Sequence, residues 1–292
     1  MDLVRIIEMF PTQEDCMAYL ERLRWSGSPE CPHCESTHVK RRNEHDTGRI
    51  GRYNCHECHA TFKATHGTLF QGTKIALQKW FLAICLMVNA KKSLSSHQLS
   101  RDLGLQQKAC WRMMTCIRAE MAKESVILEG IVEADETYIG GRRKKDYDRK
   151  DAEPRKRGRG TAKDAIIGAV ARGGKVVAQL VNSPNAESIT KFIKKHVDTD
   201  EAQLYTDQFR AYNDVGEIMK DHQTINRSEK WEPDGIHTNT IEGFWSFVKR
   251  AWYGSHHQYS TGYTPLYLAE ACYKYNYRGT DMFAKFLEEL WK

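Results

Sequence analysis

Two cysteine pairs, Cys31-Pro-His-Cys34 and Cys55-His-Glu-Cys58, stand twenty residues apart and constrain this chain more than any other feature. A C-x-x-C turn sets two sulfurs along one edge of a tetrahedron. Two such knuckles at this separation form the pattern of a four-thiolate zinc site. Between them, HVKRRN and GRIGRYN read as the strands of a hairpin. So small a patch has too little apolar surface to fold unaided, and one structural Zn2+ on Cys31, Cys34, Cys55 and Cys58 is therefore part of the expected fold. His33, His56 and His59 read as surface groups, because four thiolates already close a structural site. Lys40, Arg41, Arg42, Arg49 and Arg52 are expected to face outward. A ribbon of this kind suits contact with DNA or with protein.

The start, MDLVRIIEMFPTQEDC, carries acids where a signal peptide needs a basic start and an apolar run. The longest apolar run, Trp80 to Val88, is nine residues, too short to span a bilayer. The expectation is a soluble, intracellular protein with no membrane partner. Nine cysteines in a reducing compartment mean metal ligands or buried thiols, and Cys16, Cys85, Cys110, Cys116 and Cys272 fit the inner faces of helices.

Residues 12–24 predict a short helix capped by Thr12, with Cys16, Tyr19, Leu20 and Leu23 inward. Leu77, Phe81, Ile84, Cys85 and Val88 recur at helical spacing and predict a buried helix. Ser95 and Gln98 form a capping-box pattern before a helix lined by Leu99 and Leu103. Gly104-Leu105 makes a turn, and a second helix follows with Trp111, Met114 and Ile117 inward. That is helix-turn-helix spacing, shared with ordinary helical hairpins. Gln106, Gln107, Lys108 and Arg112 fall on the exposed side of the second helix, where bases or phosphates would be met.

The net charge is +6, and residues 142–163 carry eleven Lys/Arg against four Asp/Glu, 11 − 4 = +7, so the rest of the chain sums to −1. A polyanion partner follows, with Arg142, Arg143, Lys144, Lys145, Arg155, Lys156, Arg157 and Arg159 as contacts. The segment lacks apolar periodicity and reads as a long loop that orders on DNA, or as a solvated insertion.

From Gly130 the pattern turns to strands. GIVEADETYIGG alternates and carries Asp135. AIIGAVAR (165–172) and KVVAQLV (175–181) flank Gly173-Gly174 as a hairpin. A helix over 187–197, a strand 203–207 ending in Asp207 and a strand 222–226 follow. The next segment, 238–250, is an amphipathic helix with Asn239, Glu242, Ser246 and Lys249 on one face and Ile241, Phe244, Trp245, Val248 and Trp252 on the other. Alone, that is a solvated face. In this order it is the third acidic element of an α/β fold, an RNase H-like mixed sheet flanked by helices, in which Asp135 and Asp207 stand on adjacent strands. Converging carboxylates are tolerable when they hold hard divalent ions, and two Mg2+ (or Mn2+) about 4 Å apart can serve both oxygens of a phosphodiester displacement. Glu133 shares the face of Asp135 and is the rival ligand, while Glu136 should point to the opposite face. Tyr138, Tyr205 and Tyr212 read as core or groove residues.

Asp135, Asp207, Glu242 after 34 intervening residues, and Lys249 seven further on resemble the DDE signature of transposases and retroviral integrases. The segments CPHC…CHEC, KWFLAICLM, VEADETYIGG, LYTDQFRAY and HTNTIEGFWSFVKRAWYG are similar to the ISXO2-like (IS1595) family of insertion-sequence transposases, over nearly the whole chain. The resemblance implies a zinc ribbon, a helix-turn-helix domain and an RNase H-like catalytic domain. The boundaries expected are an N-terminal helix 1–27, the ribbon 28–70, the helix-turn-helix domain 71–128, and a catalytic domain 129–292 with the basic insertion 142–163. The resemblance further implies that Asp135, Asp207 and Glu242 bind the catalytic ions. Asn239 is a neighbouring ligand or substrate contact, since members with Asn at the third position are described. Lys249 and Arg250 approach DNA phosphates. Water would cut the phosphodiester at the element's terminal inverted repeat, and the freed 3′-hydroxyl would attack target DNA with no covalent enzyme intermediate. Double-stranded DNA is the implied partner, in a homodimer or larger assembly, in the cytoplasm and nucleoid of a prokaryotic host. The alternatives are a DNA-binding regulator derived from a transposase, and an RNase H-like nuclease without strand transfer.

Overall fold

The structure, a computed structural model, describes residues 1–42, 50–140, 163–225 and 235–291. Arg49 and the basic residues expected to contact DNA between Arg142 and Arg159 lie outside that set. By its contacts the chain divides into two units, Met1–Met121 with Tyr277–Lys292, and Ala122–Asn276. The first break falls before the expected 128/129. Residues from Tyr277 on, set within the expected catalytic domain 129–292, group with the first unit.

In the first unit, α1 (Leu3–Met9) starts on Asp2, whose side chain accepts the Arg5 amide. The expected N-terminal helix region 1–27 thus holds two helices, and the periodicity places only the one over 12–24: seven residues with one buried position give little periodic signal. Helix α2 (Gln13–Trp25) begins on Thr12, and Thr12 and Asp15 complete a reciprocal capping box. Strands β1 (Val39–Arg41), β2 (Tyr53–Cys55) and β3 (Thr61–Phe62) form an antiparallel ribbon in that order. Trp25 packs edge-on against Tyr53 and Phe62, with ring centroids 5.1 and 5.9 Å away, which joins α2 to the ribbon. Helix α3 (Leu77–Asn89) buries Leu77, Phe81, Ile84, Cys85 and Val88 as the sequence requires.

Helices α4 (Ser96–Leu103) and α5 (Gln107–Met121) meet at Gly104, in the left-handed conformation at φ 60°. Ser95 caps α4 by accepting the Gln98 amide. The reciprocal half of the box is absent, since the Gln98 side chain bonds Asp102 and Arg101 instead. Trp111 departs from expectation. It is 36% exposed, while Cys110, Met113, Met114 and Ile117 form the buried seam. One position ahead of Cys110 is 100° round the helix, which carries Trp111 off that seam. Beyond Tyr277, α9 (Met282–Glu288) returns to this unit, with Phe283 5.5 Å from Phe81 and 6.3 Å from Phe10 between ring centroids.

The second unit is built on a mixed sheet of β4 (Ile131–Ile139), β5 (Asp164–Ala171), β6 (Val176–Val181), β7 (Gln203–Asp207) and β8 (Asp221–Ile225), in the order β6-β5-β4-β7-β8. The first three are antiparallel neighbours, whereas β7 runs parallel to both β4 and β8. Helix α6 (Ala186–His196) covers one face, burying Ile189, Phe192 and Ile193 with Val132, Ala134, Ile167 and Leu204. Helix α7 (Asn239–Ala251) covers the other with Ile241, Phe244, Trp245 and Val248, beside Ile166 and Val170. Gly168 lets it approach, because a Cβ there would lie 2.5 Å from the Trp245 ring. Helix α8 (Thr264–Asn276) packs on the same side through Leu268 and Ala271.

Candidate active site and zinc site

The four ribbon cysteines converge. Cys31 and Cys58 sulfurs are 3.5 Å apart, as are those of Cys34 and Cys55, and all four lie within 4.8 Å of one another. A Zn–S length of about 2.3 Å sets tetrahedral sulfurs ~3.8 Å apart, so this donor set fits Zn2+.

In the sheet, the β4–β7 ladder pairs Ile131 with Gln203, Val132 with Leu204 and Glu133 with Tyr205, and then ends. Beyond it β4 continues on β5 and β7 on β8. The chain leaves β4 toward one edge of the sheet and β7 toward the other, so a crevice opens at the carboxyl end of this parallel pair. Asp135 and Asp207 each stand two residues past the last paired position. Asp135 is therefore in the middle of its strand but at the end of its ladder with β7. Asp207 Oδ1 accepts the Phe209 amide at 3.0 Å, which orients the carboxylate as the chain turns.

Among the described residues, the acidic group able to hold a cation consists of Asp135, Glu136 and Asp207, with ligand atoms within 4.8 Å of one another. Glu136 alternates to the opposite face as the sequence requires, paired with Ile167, yet its carboxylate reaches the aspartates, which the sequence does not predict. Alternation fixes the direction of Cβ, not the reach of a glutamate carboxylate, and the crevice begins beside this residue. Three all-oxygen donors suit a hard divalent ion. Glu242, in the first turn of α7, is half-buried and lies outside that group, and Asn239 is exposed at the same helix start. Lys249 is half-buried, and Arg250 folds back on Ser246, 2.7 Å from its hydroxyl.

Glu133, the rival ligand, is 0% exposed and already engaged. It accepts Thr240 N at 2.7 Å, Thr240 Oγ1 at 2.8 Å, Ile241 N at 3.1 Å and Arg172 Nε at 2.7 Å. Sequence spacing had no signal for this role, since its partners lie 39 to 108 residues away. Gln106, expected on the second helix, stands one residue before α5 and is exposed; on α5 Lys108 and Arg112 are exposed, while Gln107 is partly buried and donates to Ser96 Oγ at 2.8 Å. Tyr205 and Tyr212 are buried.

A mixed sheet in this order, with acids gathered at the carboxyl end of its parallel centre and a later helix across one face, defines an RNase H-like domain of the DDE type. Residues 127–276 match the ISXO2-like transposase domain and residues 11–61 the transposase zinc-ribbon domain, so the chain belongs to the ISXO2-like transposase family. It is 27% identical over 258 residues to an uncharacterized protein in transposable element ISH50 of Halobacterium salinarum, covering 86% of each chain. A solved simian T-cell lymphotropic virus intasome in complex with a PP2A regulatory subunit covers 58% of each chain at 13% identity. The TM-score of that match is 0.29. Among the described residues no helix is long and apolar enough to cross a membrane.

Proposed function

We propose that this protein is a DNA transposase that binds the terminal inverted repeats of its element, cleaves there and joins the ends to target DNA. The observation that carries the reading is the convergence of Asp135 and Asp207 at the open end of the β4–β7 ladder, with a third carboxylate in reach. Asp135 and Asp207 are the oxygen donors for divalent ions. Glu242 is the third acid, which α7 brings to the ions once DNA is bound, with Asn239 beside it, and Glu136 is the donor already beside the aspartates in the free protein. Two Mg2+ (or Mn2+) held there would supply Lewis-acid activation to the attacking oxygen of water or a 3′-hydroxyl and to the leaving oxygen of the phosphodiester.

The chain's own part is positional. The Phe209 amide holds Asp207 in one orientation, and the apolar face of α7 keeps its polar face turned away from the sheet core. Lys249 and Arg250 neutralise phosphate beside the cleaved bond, and the segment from Arg142 to Arg159 does so over a longer span. Gln106, Gln107, Lys108 and Arg112 read the terminal repeat, with the zinc ribbon beside them on DNA. Joining two ends needs two active sites, hence a homodimer or larger, working on DNA in the cytoplasm.

The test is nicking of DNA carrying the element's end. Asp135→Asn and Asp207→Asn should each abolish Mg2+-dependent nicking and leave binding of the same DNA intact. Cleavage retained by either variant overturns the assignment. A joined product between donor end and target plasmid separates a transposase from a nuclease of the same fold.

A further inference from the structure

Helix α7 begins without a cap of its own. Its N-cap residue, Thr238, makes no side-chain hydrogen bond to the helix. The donors an N-cap side chain normally satisfies are the second and third amides of the helix, here Thr240 and Ile241. Both are taken by Glu133 of β4, at 2.7 and 3.1 Å, and the Thr240 hydroxyl adds a third bond at 2.8 Å. Glu133 stands two residues before Asp135 on the same strand and the same face.

A second group locks this junction. Arg172, just past the end of β5, gives Nε to Glu133 at 2.7 Å. Its two terminal nitrogens donate to the carbonyls of Gly235 and His237, both at 3.0 Å, in the segment that enters α7. Its guanidinium also lies over the Tyr205 ring, 5.0 Å from the centroid. Tyr205 is paired with Glu133 in the β4–β7 ladder and precedes Asp207 by two residues. His237 Nδ1 is 3.2 Å from Glu133. One ion pair, its carboxylate buried and its guanidinium partly exposed, therefore touches the strand of Asp135, the strand of Asp207 and the first turn of the helix that carries Asn239 and Glu242.

We propose that Glu133, with Arg172, is a positioning residue that sets the register of α7's first turn against the two aspartate strands. The inference rests on the transposase reading for its catalytic meaning. The rest of α7 is held by Ile241, Phe244, Trp245 and Val248 on an apolar sheet face. Apolar burial is non-directional and tolerates small slides and rotations of a helix. The hydrogen bonds at its start are directional and do not. A buried carboxylate is also costly unless fully bonded, so a fold needing only adhesion here is better served by an apolar side chain.

The experiment uses the full chain with Glu133→Gln and Arg172→Lys. The glutamine keeps the size of the side chain but has one neutral acceptor oxygen: with it on the two amides, which share Oε2, the NH2 stands against the Arg172 Nε–H and the ion pair is lost, so the clamp on the first turn is weakened. The lysine keeps the charge and loses the fork onto the two carbonyls. Two readouts are taken at a temperature where circular dichroism shows the native fold. Amide hydrogen exchange should accelerate at Thr240, Ile241 and Glu242 in both variants and stay slow from Phe244 to Val248. Mg2+-dependent nicking should fall on the order of 10²-fold, the cost of a misplacement near 1 Å, with DNA binding unchanged. Wild-type exchange at the first turn of α7 overturns the inference, as does faster exchange with undiminished nicking. Uniformly faster exchange across α7 also overturns it, because that marks a merely structural role. If Glu133→Gln does not fold, Arg172→Lys decides by the same criteria. Asp135→Asn is the control: nicking retained there sinks the transposase reading, while hydrogen exchange still judges the clamp.

Discussion

Glu133, Asp135 and Glu136 stand within four residues of β4, and each acid meets different surroundings. Glu133 is consumed by helix amides and a guanidinium, whereas Asp135 and Glu136 share a crevice with Asp207. Which glutamate completes the ion site is open to direct measurement. Glu136→Gln should weaken Mn2+ binding about tenfold or more, near 1.4 kcal/mol, because its carboxylate lies with the aspartates without any movement of α7. Glu242→Gln should leave that affinity within about twofold and lower nicking instead. Calorimetric titration of both variants checks this, and the reverse ranking would place the third ligand on α7. The aspartates were legible from alternation and from their places on strands. Glu136 was not, because side-chain reach has no periodic signature. The role of Glu133 was not, because its partners are brought by tertiary packing alone.

Elements were legible wherever an apolar face repeats. Helices α2, α3, α6 and α7 and all five sheet strands lie where the pattern sets them. Short α1 did not, and the seam of α5 runs one residue off the expected line at Trp111. The approach of α7 depends on something no pattern displays, the missing side chain of Gly168. Gly168→Ala would drive a methyl to 2.5 Å from the Trp245 ring. Overpacking of that kind costs about 1–3 kcal/mol. The expected result is a lower melting temperature with reduced nicking, since α7 carries Glu242. A thermal melt unchanged from wild type would mean that Trp245 swings aside freely.

At the scale of the molecule, the chain ends where it began. Phe283 of α9 packs with Phe10 and Phe81 in the N-terminal unit, 200 residues and more from its partners in sequence. Phe283→Ala should therefore destabilise that unit by about 3–5 kcal/mol. Hydrogen exchange should quicken in α2 and α3 while β4 and β5 keep their protection. Loss of protection in the sheet would contradict the division. By itself the sequence determined the zinc knuckles, the order of strands and helices, and the two aspartates. Cysteine spacing, period-two and period-3.6 patterns and turn glycines are local properties of a chain. Tertiary structure alone decided that Glu133 caps a helix 107 residues away, that Glu136 joins the aspartates, and that the tail returns to the first unit. Each depends on which surfaces meet, and an apolar stripe specifies that it must be buried, not against what.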